Sequence, residues 1–258
     1  MKNMVLDRVG LKVGDYMTSN PISLGSTNNL KDAVKIMASK KIGNIIINDE
    51  HGYPSRIFTE REILGYLVKE GGIPDIEMKN ARTQPYAIIS TADTILEAAR
   101  ILLTSKRRLL VFESEKLVGI ITVSDILRGL RTTGGNPSLD RVICKKVYDC
   151  IYHDSIFKAV NLMFKKRIGC VIVNKNNLPF GIFTERDLLG VLTKNIDLQE
   201  RIEGYTSTPL LTAPIGIKGN DAAEIMSKHK IKRLPLELEN KIRGIVTARD
   251  IVDAFRSM

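Results

Sequence analysis

Four times in 258 residues an apolar run ends in a threonine that is followed three residues later by an acid. The segments are Arg56-Ile57-Phe58-Thr59-Glu60-Arg61-Glu62, Gly119-Ile120-Ile121-Thr122-Val123-Ser124-Asp125, Gly181-Ile182-Phe183-Thr184-Glu185-Arg186-Asp187 and Gly244-Ile245-Val246-Thr247-Ala248-Arg249-Asp250. Their threonines stand 63, 62 and 63 residues apart. A constant period of this size means one supersecondary unit used repeatedly, each copy burying its apolar face against another. Function is therefore to be sought in what that unit binds.

The copies alternate. Phe58-Thr59-Glu60-Arg61-Glu62-Ile63-Leu64-Gly65 recurs as Phe183-Thr184-Glu185-Arg186-Asp187-Leu188-Leu189-Gly190, and Ile42-Gly43-Asn44-Ile45 as Ile168-Gly169-Cys170-Val171. Copies two and four share a basic pair before leucine, Arg107-Arg108-Leu109 and Lys232-Arg233-Leu234. A two-copy unit duplicated whole gives this pattern, and it predicts two domains of similar size, each with its own core.

Apolar spacing predicts strand, helix, strand, strand, helix in every copy. In copy four the reading is a strand at Leu210-Leu211-Thr212, a helix Asp221 to His229 capped by Asn220, strands at 234–236 and 242–246 joined by a turn at Glu239-Asn240, and a helix opened by Thr247. Copy two repeats it, with Thr94 and Glu97 as a capping box at the start of its first helix. Thr132-Thr133-Gly134-Gly135-Asn136-Pro137-Ser138 reads as the loop between the halves, and residues 197–202 as a short connecting helix.

No apolar stretch nears the roughly 20 residues that span a bilayer, and Met1 to Arg8 lack the apolar core of a signal peptide, so a cytoplasmic location without membrane attachment is expected. Cys144, Cys150 and Cys170 are odd in number and form no C-x-x-C; His51, His153 and His229 lack metal-ligand spacing. No disulfide and no metal requirement is expected. The net charge of +10 favours anionic partners. Nucleic acid is the second choice among them, because only 5% of residues are aromatic, tryptophan is absent and no helix-turn-helix motif appears.

A repeat of about 60 residues with this element order, ending in Gly-apolar-apolar-Thr-x-x-Asp, resembles the CBS domain (cystathionine beta-synthase domain). The resemblance covers about residues 11 to 258, with no separate catalytic domain in that stretch. It implies an α/β (α+β) fold of four βαββα CBS repeats, at 11–70, 77–132, 141–195 and 200–258, paired into two Bateman modules. The expected packing is face to face as a flat four-module disk, formed within one chain or between two, as a homodimer through the modules. Members of the family commonly bind adenosine-containing ligands such as AMP, ADP or ATP, and some bind none.

Thr-x-x-Asp alone reads equally as a capping box, in which hydroxyl and carboxylate satisfy the first amides of a helix. The same residues crown a strand end and a helix N-terminus, where free N–H groups favour an anion. On the resemblance, Asp125, Asp187 and Asp250 would accept from ribose hydroxyls and Thr122, Thr184 and Thr247 would donate to phosphate. Arg107, Arg108, Arg186, Lys232, Arg233 and Arg249 complete the phosphate set. An arginine in the first turn of a helix opposes its dipole, a cost that a bound anion removes. Copy one departs from the pattern, with Glu62 for the aspartate and Arg56 for the glycine, so Thr59, Arg61 and Glu62 are expected to form the weaker site. With no nucleophile constellation and one motif acid per copy, the expectation is a non-catalytic sensor of adenine nucleotides that regulates an unidentified protein. The alternatives are a nucleic-acid-binding protein and a ligand-free interaction scaffold.

Overall fold

The structure, a computed structural model, describes residues 10–105, 108–140 and 146–258. In chain order the elements are α1 (Val13–Tyr16), β1 (Thr18–Ser19), then repeat 1 as β2 (Ser23–Gly25), α2 (Leu30–Lys40), β3 (Asn44–Asn48), β4 (Pro54–Thr59) and α3 (Glu60–Glu70). Repeat 2 is β5 (Tyr86–Ser90), α4 (Ile95–Ser105), β6 (Arg108–Glu113), β7 (Lys116–Ile121) and α5 (Val123–Arg131). Repeat 3 is β8 (Asp149–Ile151), α6 (Ile156–Lys166), β9 (Cys170–Lys175), β10 (Leu178–Thr184) and α7 (Glu185–Thr193). Repeat 4 is β11 (Ala213–Pro214), α8 (Gly219–Lys228), β12 (Arg233–Leu238), β13 (Lys241–Thr247) and α9 (Ala248–Arg256).

Each repeat makes one small sheet. Its first strand runs parallel to the second across the helical crossover, and the second pairs antiparallel with the third. The antiparallel connections of repeats 2, 3 and 4 are tight hairpins, with both loop residues at positive φ: Ser114 and Glu115, Asn176 and Asn177, Glu239 and Asn240. That backbone twist matches the twist of the paired strands. The first helices of repeats 1 and 3 are capped by Asn29, whose side chain accepts from Lys31 N–H at 2.7 Å, and by Ser155, which accepts from Lys158 N–H at 3.2 Å.

The two compact units are not the sequential halves. One joins repeats 1 and 3 (22–84 and 147–211), the other repeats 2 and 4 with the described residues 10–21. Helix packing explains this. In the first unit α3 lies on α6 and α2 on α7, so Leu30, Met37, Phe58 and Leu64 share a core with Ile156, Met163, Phe183 and Leu188. Burial of side chains of this size stabilises by about 1.5–3 kcal/mol each. In the second unit α9 packs on α5 and α4, with Ile95, Leu102, Ile126, Ile251 and Phe255 buried.

Four local expectations are corrected. The first strand of repeat 4 is Ala213–Pro214 rather than 210–212, set by parallel pairing of Ala213 with Leu236. Helix α8 begins at Gly219, and its free amides are met by the loop at 132–138, which lies in the same unit and not between the two: Gly219 N–H donates to the Pro137 carbonyl at 2.8 Å and Asn220 N–H to Asn136 Oδ1 at 2.8 Å. Asn220 is therefore inside the helix and Asn136 does the capping. Thr94 does accept from Glu97 N–H at 3.2 Å, but the Glu97 carboxylate is taken by Arg100 at 2.6 and 2.9 Å. The connecting helix is a 3-10 turn at Ile202–Tyr205, and residues 197–201 lead into it as a turn and a bridge.

Among the described residues no helix is long and apolar enough to cross a membrane. Cys150 and Cys170 are buried, and neither forms a disulfide. Burial, aided by the Asp154 charge, pushes the Cys150 thiol up to about 11. It should thus be slow to react with a thiol reagent at neutral pH until the chain unfolds, which timed labelling with and without urea checks. Cys144 lies outside the described residues.

Candidate functional site

The acid of each motif closes a capping box with its threonine, so the box is at once a helix start and the candidate site. One carboxylate oxygen accepts twice. It receives the threonine N–H at 2.9, 2.9, 2.7 and 2.8 Å and the threonine hydroxyl at 2.6, 2.7, 2.7 and 2.7 Å in repeats 1 to 4. The hydroxyl proton of Thr59, Thr122, Thr184 and Thr247 is thus already directed at the acid, and donation to a phosphate requires the hydroxyl to turn. Glu62, Asp125 and Asp250 are only 6%, 8% and 8% exposed, and Asp187 is intermediate. Buried carboxylates survive because each is hydrogen-bonded and sits at a helix N-terminus.

Glu62 closes the same box as the aspartates despite its extra methylene. The repeats differ at the other carboxylate oxygen. Glu62 Oε1 accepts from Gln84 Nε2 at 2.8 Å, and Asp187 Oδ1 from Ser207 Oγ at 2.9 Å. Among the described residues Asp125 Oδ1 faces only the exposed Arg128 guanidinium, 3.6 Å away. Gln84 and Ser207 were missed from the sequence because they lie in the connecting segments, 22 and 20 residues beyond their acids. Both segments add a bridge to the sheet edge, Gln84 opposite Ile57 and Ser207 opposite Ile182, while β1 places Thr18 opposite Ile120.

Strand register explains the basic pairs of the even repeats. Arg233 lies directly across from Thr247, and Leu109 across from Ile121, which brings Arg108 beside Thr122. In repeats 1 and 3 the residues facing the threonine are Asn44 and Cys170. The even repeats therefore hold a guanidinium next to their own box. Lys232 lies beside it, its carbonyl accepting from Ala248 N–H at 3.0 Å. Arg107 lies outside the described residues.

The first-turn arginines have a different setting. Arg249 donates to the carbonyls of Leu102 and Leu103 at 2.6 and 2.7 Å, the last turn of α4. Arg61 reaches the Arg167 carbonyl at the end of α6 at 3.4 Å and the buried Glu185 carboxylate at 3.6 Å. Arg249 and Arg61 thus meet the negative end of a helix in the repeat they pack against, which offsets their unfavourable place at the start of their own helices. Arg186 is exposed. Burial, then the charge of neighbouring Arg108, lowers the pKa of Arg249. Two cations crowd there, and among the described residues the buried Arg108 Nε has no hydrogen-bond partner. Replacing Arg249 by alanine should cost about 1.5–3 kcal/mol through the lost charged hydrogen bonds. Urea unfolding of the variant measures it, and Arg249→Lys should recover part of the loss. Among the described residues no group of three or more His, Cys, Asp or Glu is placed to hold a metal.

The family model for the CBS domain matches four times, at residues 13–69, 78–132, 144–194 and 202–257. Relatives of similar extent include an uncharacterized 33.4 kDa protein of Thermofilum pendens, 25% identical over 208 residues (75% of this chain, 69% of that one). Protein MJ1225 of Methanocaldococcus jannaschii is 27% identical over 202 residues, 70% of this chain and 71% of its own. Its crystal structure superposes with a TM-score of 0.81, covering 95% of this chain and all of the other at 20% identity. Inosine-5'-monophosphate dehydrogenase of Staphylococcus saprophyticus is 37% identical over 101 residues, but these make up only 20% of that enzyme.

Proposed function

The chain belongs to the CBS-domain family, and from that premise we propose that it is a non-catalytic regulatory protein that binds adenine ribonucleotides (AMP, ADP or ATP) at the threonine–acid boxes. One observation carries the reading. Asp125 is buried at a strand end and helix N-terminus, spends one oxygen on the cap and keeps the other uncapped, with Arg108 on the adjacent strand. A cap alone needs one oxygen. The second is suited to a vicinal diol, and the neighbouring guanidinium to a phosphate. In repeat 4 Arg233 likewise lies on the strand beside the box that Asp250 closes. Phosphate recognition by Arg108, Arg233 and Lys232 also gives ATP an advantage over S-adenosylmethionine, which has no phosphate. The protein regulated is some partner whose surface reads the ligand state.

Calorimetric titration with AMP, ADP, ATP, GTP and S-adenosylmethionine tests this. Saturable binding of an adenine ribonucleotide is expected, with S-adenosylmethionine weaker. No heat from any of them leaves an empty scaffold. The net charge of +10 keeps duplex DNA as a second reading. Binding through dispersed lysines should fall by orders of magnitude between low and physiological salt, whereas a pocket holding one nucleotide loses far less. DNA binding that persists at physiological salt beside feeble nucleotide binding favours the second reading.

A further inference from the structure

Asp187 and Asp125 close the same box and differ in what their outer oxygens meet. The segment entering repeat 4 is fixed on β10 by two backbone bonds, Ile182 N–H to the Ser207 carbonyl at 3.0 Å and Ser207 N–H to the Ile182 carbonyl at 2.9 Å. That register delivers the Ser207 hydroxyl to Asp187 Oδ1 at 2.9 Å. Gln84 does the same to Glu62 in repeat 1. On repeat 2 the corresponding residue is Thr18, and among the described residues it makes no bond to Asp125.

A carboxylate offers about four lone-pair sites. The cap uses two of them, both on one oxygen, in every repeat. Asp125 is left with two on its outer oxygen, one for each hydroxyl of a ribose. Asp187 is left with one, because Ser207 takes the other. The geometry points to Ser207 as a specificity-determining residue: by occupying Asp187 it limits repeat 3 to one sugar hydroxyl, so that Asp187 discriminates poorly between ribose and 2′-deoxyribose while Asp125 discriminates well. The remaining site at Asp187 can be filled by the 3′-hydroxyl, which both sugars carry. This inference rests on the nucleotide-binding reading above.

The test uses the full chain with Glu62→Gln, Asp125→Asn and Asp250→Asn, which leaves Asp187 as the one motif acid. ATP and 2′-deoxy-ATP are titrated calorimetrically. The ribose preference should be below about threefold with Ser207 in place and rise to about tenfold with Ser207→Ala, since a freed acceptor then goes unmatched by the deoxy sugar. Ser207→Thr, which keeps the hydroxyl, should restore the low preference. A preference that stays unchanged or falls in Ser207→Ala overturns the assignment, as does loss of ATP binding in that variant, which would make Ser207 a ligand contact. Failure of the triple variant to bind either nucleotide, with or without Ser207, removes Asp187 as a sugar site. If the unmodified chain binds neither nucleotide, the nucleotide reading itself fails, a result distinct from binding with an unaltered preference.

Discussion

A chain carrying Gly181→Val should be destabilised by about 3 kcal/mol, from overpacking together with the loss of bridge hydrogen bonds. The connecting segment lies directly on Gly181. A Cβ there would come within 2.5 Å of Thr206 Cγ2 and 2.6 Å of the Ser207 carbonyl oxygen, and the latter is backbone that cannot rotate away. The segment would be pushed from β10, taking Ser207 off Asp187. Gly119 stands at the same place in repeat 2, where a Cβ would lie 2.4 Å from Met17 Sδ and 3.1 Å from the Thr18 carbonyl oxygen. Arg56 occupies the position in repeat 1, is exposed, and lines an open groove with Thr83, Lys79 and Asp49. Arg56→Gly should therefore cost only about 0.5–1 kcal/mol, the backbone-entropy penalty of a glycine inside a strand. Urea unfolding of both variants checks the contrast, and a Gly181→Val midpoint equal to that of the parent would show that the segment is not held there.

This glycine shows what the sequence made legible. The period, the element order and the four boxes could all be read from it, because they follow from local rules: apolar spacing, a threonine before a helix and an acid three residues on. The departure at Arg56 was equally visible, but its cause was not. The glycine answers to a strand delivered from 25 or 26 residues downstream, and no local pattern announces that approach. The same limit hid Gln84 and Ser207. It also gave the first-turn arginines an anion to explain them, when for Arg249 and Arg61 the negative charge is the carbonyl end of a helix in another repeat. The pairing of alternate repeats was beyond reach for a related reason. The apolar faces of α2, α3, α6 and α7 are all suited to packing, and sequence order does not say which meets which.

Asp125→Asn separates the two jobs of the motif acid and should weaken adenine ribonucleotide binding at repeat 2 by about ten- to a hundredfold, the worth of charge-assisted hydrogen bonds to the sugar. Its effect on folding should be much smaller. The amide oxygen of asparagine can still accept from the Thr122 N–H and hydroxyl, which lie 2.9 and 2.7 Å from the present carboxylate oxygen. What is lost structurally is the negative charge at the start of α5, worth about 0.3–1 kcal/mol. Asp125→Ala removes both functions, and should add the cost of an opened cap, about 1 kcal/mol, to the same loss of affinity. Calorimetry and urea unfolding on the same three proteins give the two effects independently. To see repeat 2 alone, the titrations are run with Glu62→Gln, Asp187→Asn and Asp250→Asn in the background. Equal affinity in the parent and Asp125→Asn would mean that Asp125 is a helix cap and nothing more. Because the same box is built in all four repeats, that result would extend to each of them, and the outer oxygens of Glu62 and Asp187 would then be bonded to Gln84 and Ser207 for stability alone.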